Sequence, residues 1–298
     1  MKNFFNILGF IWNHPLASRN RLLAFKRFFY WQIGQKIHRR PKTLPFVEDS
    51  VLVVEKGMTG ATGNIYTGLL EFEDMAFILH ALRAEDTFVD IGANVGVYTV
   101  LAARNAGARV ISFEPIPSTF KKLRRNIEAN GIAEKVELKC YALGDKATTL
   151  RFTETMDTVN HVLGENEEAG DKGEVEVPVD TLDTLLAGHL PTVFKIDVEG
   201  FEWPALRGAE KLLASPALKA LVIELNGSSG RYGFDDKEIH QLLLSHKFAP
   251  YSYEPFSRQL KILDTYGVSS NTIYIKDAAW AGSRTRESRD YRILNINV

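Results

Sequence analysis

From residue 87 onward, short β-branched runs alternate with stretches whose apolar residues recur at helical spacing. The runs TFVDI (87–91), RVISFE (109–114), KVELKCYAL (135–143), TVFKIDV (192–198) and ALVIELN (220–226) predict strands. Between and after them, residues 98–105, 118–130, 203–214 and 236–246 predict helices. Two further strands are expected near 258–263 and 271–276, joined by a short connection as an antiparallel edge hairpin. Strands alternating with helices predict an α/β fold with a doubly wound, mostly parallel sheet.

The preceding segment follows a different pattern. Leu16, Arg19, Leu22, Leu23, Lys26, Phe29, Tyr30 and Ile33 are spaced as on an amphipathic helix over 16–37, closed by Pro41 and Pro45. Residues 51–54 predict a short strand, the glycine-rich GMTGATGNIYTG (57–68) a loop, and 71–82 a helix. Residues 153–174 place Gly164, Gly170 and Gly173 among many acids and predict an insertion or mobile lid. AGSRTRESRDYR, from residue 281, has a disorder-like composition, although its end could dock on the body. The expected division is a helical arm (1–50), a central domain (51–280) and a C-terminal tail (281–298).

Charge sharpens this division. Residues 1–47 hold nine Lys and Arg and no acid, leaving 27 bases against all 37 acids in the remainder. The same arm carries ten aromatic residues. Such an arm suits an anionic partner, a membrane surface, a second copy of the chain, or docking on its own acidic body. The apolar run 4–12 imitates a signal peptide, but Asn6, His14-Pro15 and the lack of a small-x-small site argue against one. No run approaches the roughly 20 apolar residues that span a bilayer. The single cysteine, Cys140, excludes an intramolecular disulfide framework and a multi-cysteine metal site. The expected location is the cytoplasm, with peripheral membrane attachment as an alternative.

Candidate chemistry begins at FVDIGANVGVYT (88–99), where a β-branched run ends in Asp90 and is followed by Gly92 and Gly96. Glycines there let the backbone turn tightly and approach a ligand, and the next helix offers N–H groups to an anion. The dinucleotide fingerprint is G-x-G-x-x-G, whereas this turn reads Gly92-Ala93-Asn94-Val95-Gly96. Asp90 would repel a pyrophosphate but accept hydrogen bonds from an ammonium, and ammonium plus carboxylate describes an amino acid. Glu114, 24 residues later, ends the second strand where an acid can take both ribose hydroxyls. Ala142-Leu143-Gly144-Asp145 could address an adenine edge. Together these groups describe S-adenosylmethionine. Each position also has a local reading: Asp90 as a helix cap, Glu114-Pro115 as an exposed strand end, Asp145 as a turn former.

FVDIGANVGVYT, ISFEPIPSTFKKLRRNI, YALGD, VDTLD and FKIDVEGFEWPALRGA together resemble the FkbM family of S-adenosylmethionine-dependent O-methyltransferases, over roughly residues 59–274. The resemblance implies a class I methyltransferase sheet of seven strands with the last antiparallel. It also implies methyl transfer to a hydroxyl, often on a sugar or polyketide-type natural product. By that similarity Asp90, Gly92, Asn94, Gly96 and Glu114 are cofactor contacts.

For the acceptor, KIDVEG (195–200) lies at the carboxyl end of a strand, where open α/β sheets bind ligands. Asp197 and Glu199 would face one side of an extended chain. They could position the acceptor, act as base, or with Asn226 ligate a cation such as Mg²⁺, although no metal is expected; Lys195 could pair with either. His161, in DTVNHV beside Asn160, is a second candidate base because imidazole titrates in the useful range. Asn64, Tyr66 and Glu71, in the glycine-rich loop and just after it, could fold over the methionine end of the donor or line the acceptor pocket, or the loop could be a packed connection. The N/D-P-P-Y/F signatures of amino-directed nucleic-acid methyltransferases are absent, and no nucleic acid is expected. Two alternatives remain: an NAD(P)-dependent oxidoreductase, and a non-catalytic scaffold or membrane-surface protein retaining the fold.

Overall fold

The computed structural model describes residues 2–37, 40–154, 161–164, 167, 173–267 and 271–298. Its central sheet comprises β1 (Thr87–Ile91), β2 (Arg109–Phe113), β3 (Val136–Lys139), β4 (Val193–Ile196), β5 (Ala220–Glu224), β6 (Ala249–Glu254), β7 (Gln259–Ile262) and β8 (Asn271–Ile275). Their order across the sheet is β7-β6-β8-β5-β4-β1-β2-β3. The five strands β1 to β5 run parallel; β8 is antiparallel to β5 and β6, and β7 to β6. Chain order reverses between β1 and β4, which opens a crevice at their carboxyl ends.

Alternation along the buried strands divides the core in two. Phe88, Val110, Val193 and Val222 face the helices Phe72–Ala81, Val97–Val100 and Pro117–Ala129. Their neighbours Val89, Ile111, Phe194 and Ile223 face Glu202–Arg207, Glu210–Ala214 and Asp236–Ser245. Successive side chains of a strand point to opposite faces, so a sheet covered on both sides reads as near-continuous apolar runs. The sequence has that character throughout β1, β2, β4 and β5.

The arm joins the first of these cores. Ile11, Leu16, Phe28 and Trp31 of the helices Lys2–Asn13 and Arg21–Ile37 and their connection are buried in it. Strand Lys42–Pro45 pairs with Val51–Val54, whose Val51 and Val53 amides donate to Asn130 and Asn126 Oδ1 at 2.9 and 2.6 Å.

Several expectations need correction. The sheet has eight strands where seven were expected. The strands near 258–263 and 271–276 do not form a hairpin: β8 inserts between β5 and β6, and β7 pairs with β6. The missed element is β6, APYSYE, which lacks a β-branched run and so gives no strand signal. The expected loop 57–68 contains the helix Thr59–Thr67, where Asn64 Nδ2 and Thr67 Oγ1 donate to the carbonyls of Gly60 and Gly63. The run 135–143 splits: β3 belongs to the main sheet, but Ala142–Leu143 pairs with Glu174–Asp180 in a small sheet completed by Thr148–Thr153. Within the suspected lid, residues 155–160, 165–166 and 168–172 lie outside the described residues. The disorder-like C-terminal composition belongs partly to the helix Ala278–Arg286, anchored by buried Ala281 and Thr285 and followed by a hairpin with buried Ile293.

Candidate active site

At the switch point, Asp90 and Lys195 are register partners on β1 and β4. The turn after β1 is fixed by two amides, Gly92 and Ala93, which donate to the Phe113 carbonyl at 3.0 and 2.9 Å. Gly92 has φ +77°, and a Cβ there would collide with the Asp197 carbonyl oxygen. Both facts restrict the position to glycine. Gly96, also left-handed, caps the helix Val97–Val100.

Two buried carboxylates face this turn. Asp90 Oδ2 accepts from Thr99 Oγ1 at 2.6 Å, and that hydroxyl lies 2.8 Å from Ser112 Oγ. Burial pushes Asp90 up to about 6, partly opposed by the Thr99 bond and by Lys195. Glu114 accepts from the Asn94 amide at Oε2 (3.0 Å) and the Ile116 amide at Oε1 (2.9 Å). Burial nevertheless pushes Glu114 up to about 7.

A cavity extends from these groups over the carboxyl ends of the strands. Beside Glu114 its wall is largely apolar: Ile116, Tyr141, Ala142, Leu143, Phe152 and Phe201. Toward β4 it becomes acidic, with Glu71, Asp197 and Glu199 in the lining. Lys195 is the buried cation at this end. Its Nζ donates to Asp197 Oδ2 at 3.2 Å and Asn271 Oδ1 at 3.3 Å, and stands 5.3 Å from the Tyr98 ring centroid. Asn271 in turn donates to half-buried Asp74 at 3.1 Å, and Tyr98 Oη donates to Glu71 at 2.6 Å. Burial alone would depress Lys195, but Asp197, Glu71, Asp74 and Glu224 outweigh it and hold the ammonium above its ordinary range. Glu199, at φ +53°, is pushed up to about 8 by burial and then by Asp197, Glu224 and Glu202. Its loop is held from below by Glu202, whose Oε1 accepts from the Val198 and Gly200 amides, each at 3.2 Å.

Of the residues singled out in the sequence, Asp90, Gly92, Asn94, Glu114, Ala142, Asn64, Glu71, Lys195, Asp197 and Glu199 line this cavity. Gly96, Asp145, Tyr66 and His161 are not in its lining. Asp145 is exposed, beyond the point where Ala142–Leu143 leaves the main sheet. Tyr66 is turned to the arm, accepting from Gln32 Nε2 at 3.3 Å. His161 is buried, its amide donating to Thr153 Oγ1 and its Nε2 lying 3.4 Å from Glu167 Oε1. Asn160 lies outside the described residues. Asn226 Oδ1 accepts from the Ser228 amide. Among the described residues, no group of three or more His, Cys, Asp or Glu side chains is arranged to hold a metal ion.

Tyr98, Asp74, Asn271 and Glu224 were not singled out. Tyr98 lies within the FVDIGANVGVYT motif and could have been noticed there. The others reach the site only through tertiary packing.

The sequence model of the methyltransferase FkbM domain matches residues 90–250, more than half of the chain. The chain belongs to this family. The FkbM-type assignment makes the protein a methyltransferase and S-adenosylmethionine its methyl donor, and it removes the oxidoreductase reading. The hexuronic acid methyltransferase AglP of Haloferax volcanii is 26% identical over 183 residues, covering 60% of this chain and 70% of that protein. The 31-O-demethyl-FK506 methyltransferase FkbM of Streptomyces tacrolimicus is 27% identical over 213 residues, covering 59% and 78% respectively.

Proposed function

We propose that the protein transfers a methyl group from S-adenosylmethionine to a hydroxyl oxygen of a small acceptor, a sugar or glycosylated natural product. The observation that carries this reading is the change in lining across one cavity. A glycine turn with buried Asp90 and Glu114 lies beside a carboxylate-rich end formed by Glu71, Asp197 and Glu199. Carboxylates accept hydrogen bonds from several hydroxyls at once, which suits a polyol. The relatives that act on hexuronic acid and on 31-O-demethyl-FK506 support the same acceptor class.

The residues fit the donor. Gly92, Ala93 and Asn94 of the turn line the cavity between Asp90 and Glu114, so the backbone itself would lie against the donor. Asp90 would receive the ammonium of the amino-acid end. Each Glu114 oxygen accepts one amide and retains a lone pair for a ribose hydroxyl. The apolar wall of Ile116, Leu143 and Phe152 would take the adenine face.

When bound, the sulfonium supplies an electrophilic methyl group. The chain contributes alignment and proton removal, and alignment of the acceptor provides much of the acceleration. Asp197 is fixed by Lys195 through Oδ2, leaving its second oxygen to orient an acceptor hydroxyl. Glu199, with its affinity for a proton raised to about 8, is matched to take the hydroxyl proton. The test is transfer of labelled methyl from the donor to a panel of glycosides. Labelled glycoside supports the reading. Donor binding without transfer to any hydroxyl compound would favour the non-catalytic scaffold.

A further inference from the structure

The helix Arg21–Ile37 is apolar on two opposite faces. Ala24, Phe28, Trp31 and Gln35 form the stripe buried against the body. Leu22, Lys26, Phe29, Tyr30 and Ile33 recur at i, i+4, i+7, i+8 and i+11 along the other side. The four apolar members of that outer stripe are 84%, 46%, 69% and 59% exposed. Folding the chain requires only the first face.

The outer stripe is not a scatter of single residues. Among the described residues, seven of the eleven large exposed hydrophobics lie between Phe5 and Ile33. Trp12, 52% exposed, continues the patch: the Arg21 guanidinium stands 4.4 Å from its ring centroid, and the Phe25 ring lies 6.3 Å away. Contiguous exposed apolar surface of this kind marks an interaction site.

Charge selects the partner. Arg21 and Lys26 are exposed on this helix, and residues 1–47 contain no acid. A two-fold contact between copies would set this basic helix against itself, like charge facing like charge. A bilayer with anionic headgroups matches both features, since aromatic and aliphatic side chains enter the interface while Arg and Lys meet phosphate. No described helix is long and apolar enough to cross a membrane, so contact through this face would be peripheral.

We propose that the stripe Leu22, Phe29, Tyr30 and Ile33, with Arg21 and Lys26, docks the protein on an anionic lipid surface. The buried side of the same helix leads toward the cavity. Phe28 packs edge-on against Tyr66 at 5.1 Å, and the helix carrying Tyr66 contributes Gly60, Ala61 and Asn64 to the cavity wall. The arm helix therefore stands one helix away from the cavity wall.

The experiment is co-sedimentation of the full chain with vesicles of phosphatidylcholine mixed with phosphatidylglycerol, against phosphatidylcholine alone. Binding to the anionic vesicles that weakens as salt is raised is expected. Replacing Phe29, Tyr30 and Ile33 together by Ser should lower the partition coefficient by about tenfold or more. Circular dichroism and donor affinity should stay unchanged in that variant. Lys26→Glu should weaken binding to anionic vesicles while leaving the little binding to phosphatidylcholine as it was. Equal partition onto both vesicle types would overturn the proposal, as would none onto either. So would a dimer in light scattering that the triple substitution disperses, which would assign the face to a second copy. These outcomes do not depend on whether methyl transfer to a hydroxyl is found.

Discussion

Gly92 and the carbonyl oxygen of Asp197 stand so close that no side chain fits between the turn after β1 and the loop after β4. This contact sets the separation between the donor turn and the acidic end of the cavity. Gly92→Ala must either shift the Asp197 loop or abandon φ +77°. The expected cost is roughly 2–4 kcal/mol of stability, measured by urea denaturation. Calorimetry should also show donor affinity falling by more than about tenfold, because the turn after β1 and the Asp197 loop, which both line the cavity, can no longer keep their spacing.

Lys195 is surrounded by Asp197, Asp74, Glu71 and Glu224 and is almost wholly buried. Lys195→Met removes the cation and leaves those acids without compensation. Removing one partner of a buried charge cluster typically destabilises by about 3–5 kcal/mol. A denaturation midpoint unchanged from wild type would show that the cluster is not held together by this ammonium.

Stability should fall as pH rises above neutrality. Glu114, Asp74, Glu202 and Glu224 are raised to about 7 and Glu199 to about 8, so the folded state holds protons that the unfolded chain has released. A raised carboxyl contributes stability that is fully present below its unfolded value and is lost as pH passes its folded value. His80, lowered to about 4 mainly by burial, acts oppositely, but its contribution is complete by about pH 6.5. Between about pH 6.5 and 8.5 the ligand-free protein should therefore lose stability. Glu199→Gln should remove about 1 kcal/mol of that change, after allowance for its partial exposure. Melting curves across this range provide the check.

Turnover should carry the signature of Glu199. The rate is expected to rise with pH toward a plateau, with a midpoint near 8. Glu199→Gln should lower kcat by about 10²-fold and abolish that rise, with donor affinity retained. His161→Ala, which alters a buried residue outside the cavity lining, should leave the pH profile in place. A profile that instead disappears with His161 would transfer the base role to the insertion.

That Asp90, Gly92, Asn94 and Glu114 would share one cavity was legible because these residues are local. Asp90, Gly92 and Asn94 sit on one strand and turn, and Glu114 follows on the adjacent strand. The acidic end was legible only in part. Lys195, Asp197 and Glu199 share one strand end, whereas Asp74 and Asn271 come from segments 197 residues apart. No periodicity reports such a contact. The helix Thr59–Thr67 escaped for a different reason: its glycines have low helix propensity, and its formation depends on packing against the arm and on side-chain bonds within the turn. The pairing of β7 with β6 was hidden because β6 begins Ala-Pro and lacks β-branched residues.

The central claim is methyl transfer to oxygen on a hydroxyl-bearing acceptor. It is tested most directly by incubating the protein with labelled S-adenosylmethionine and a glycoside library, then treating the labelled product with mild base. A methyl ether survives that treatment with its label and its mass gain intact, and this is the expected result. Label released as methanol would identify a carboxylate ester, and label retained on nitrogen would identify an amine acceptor; either would contradict the account.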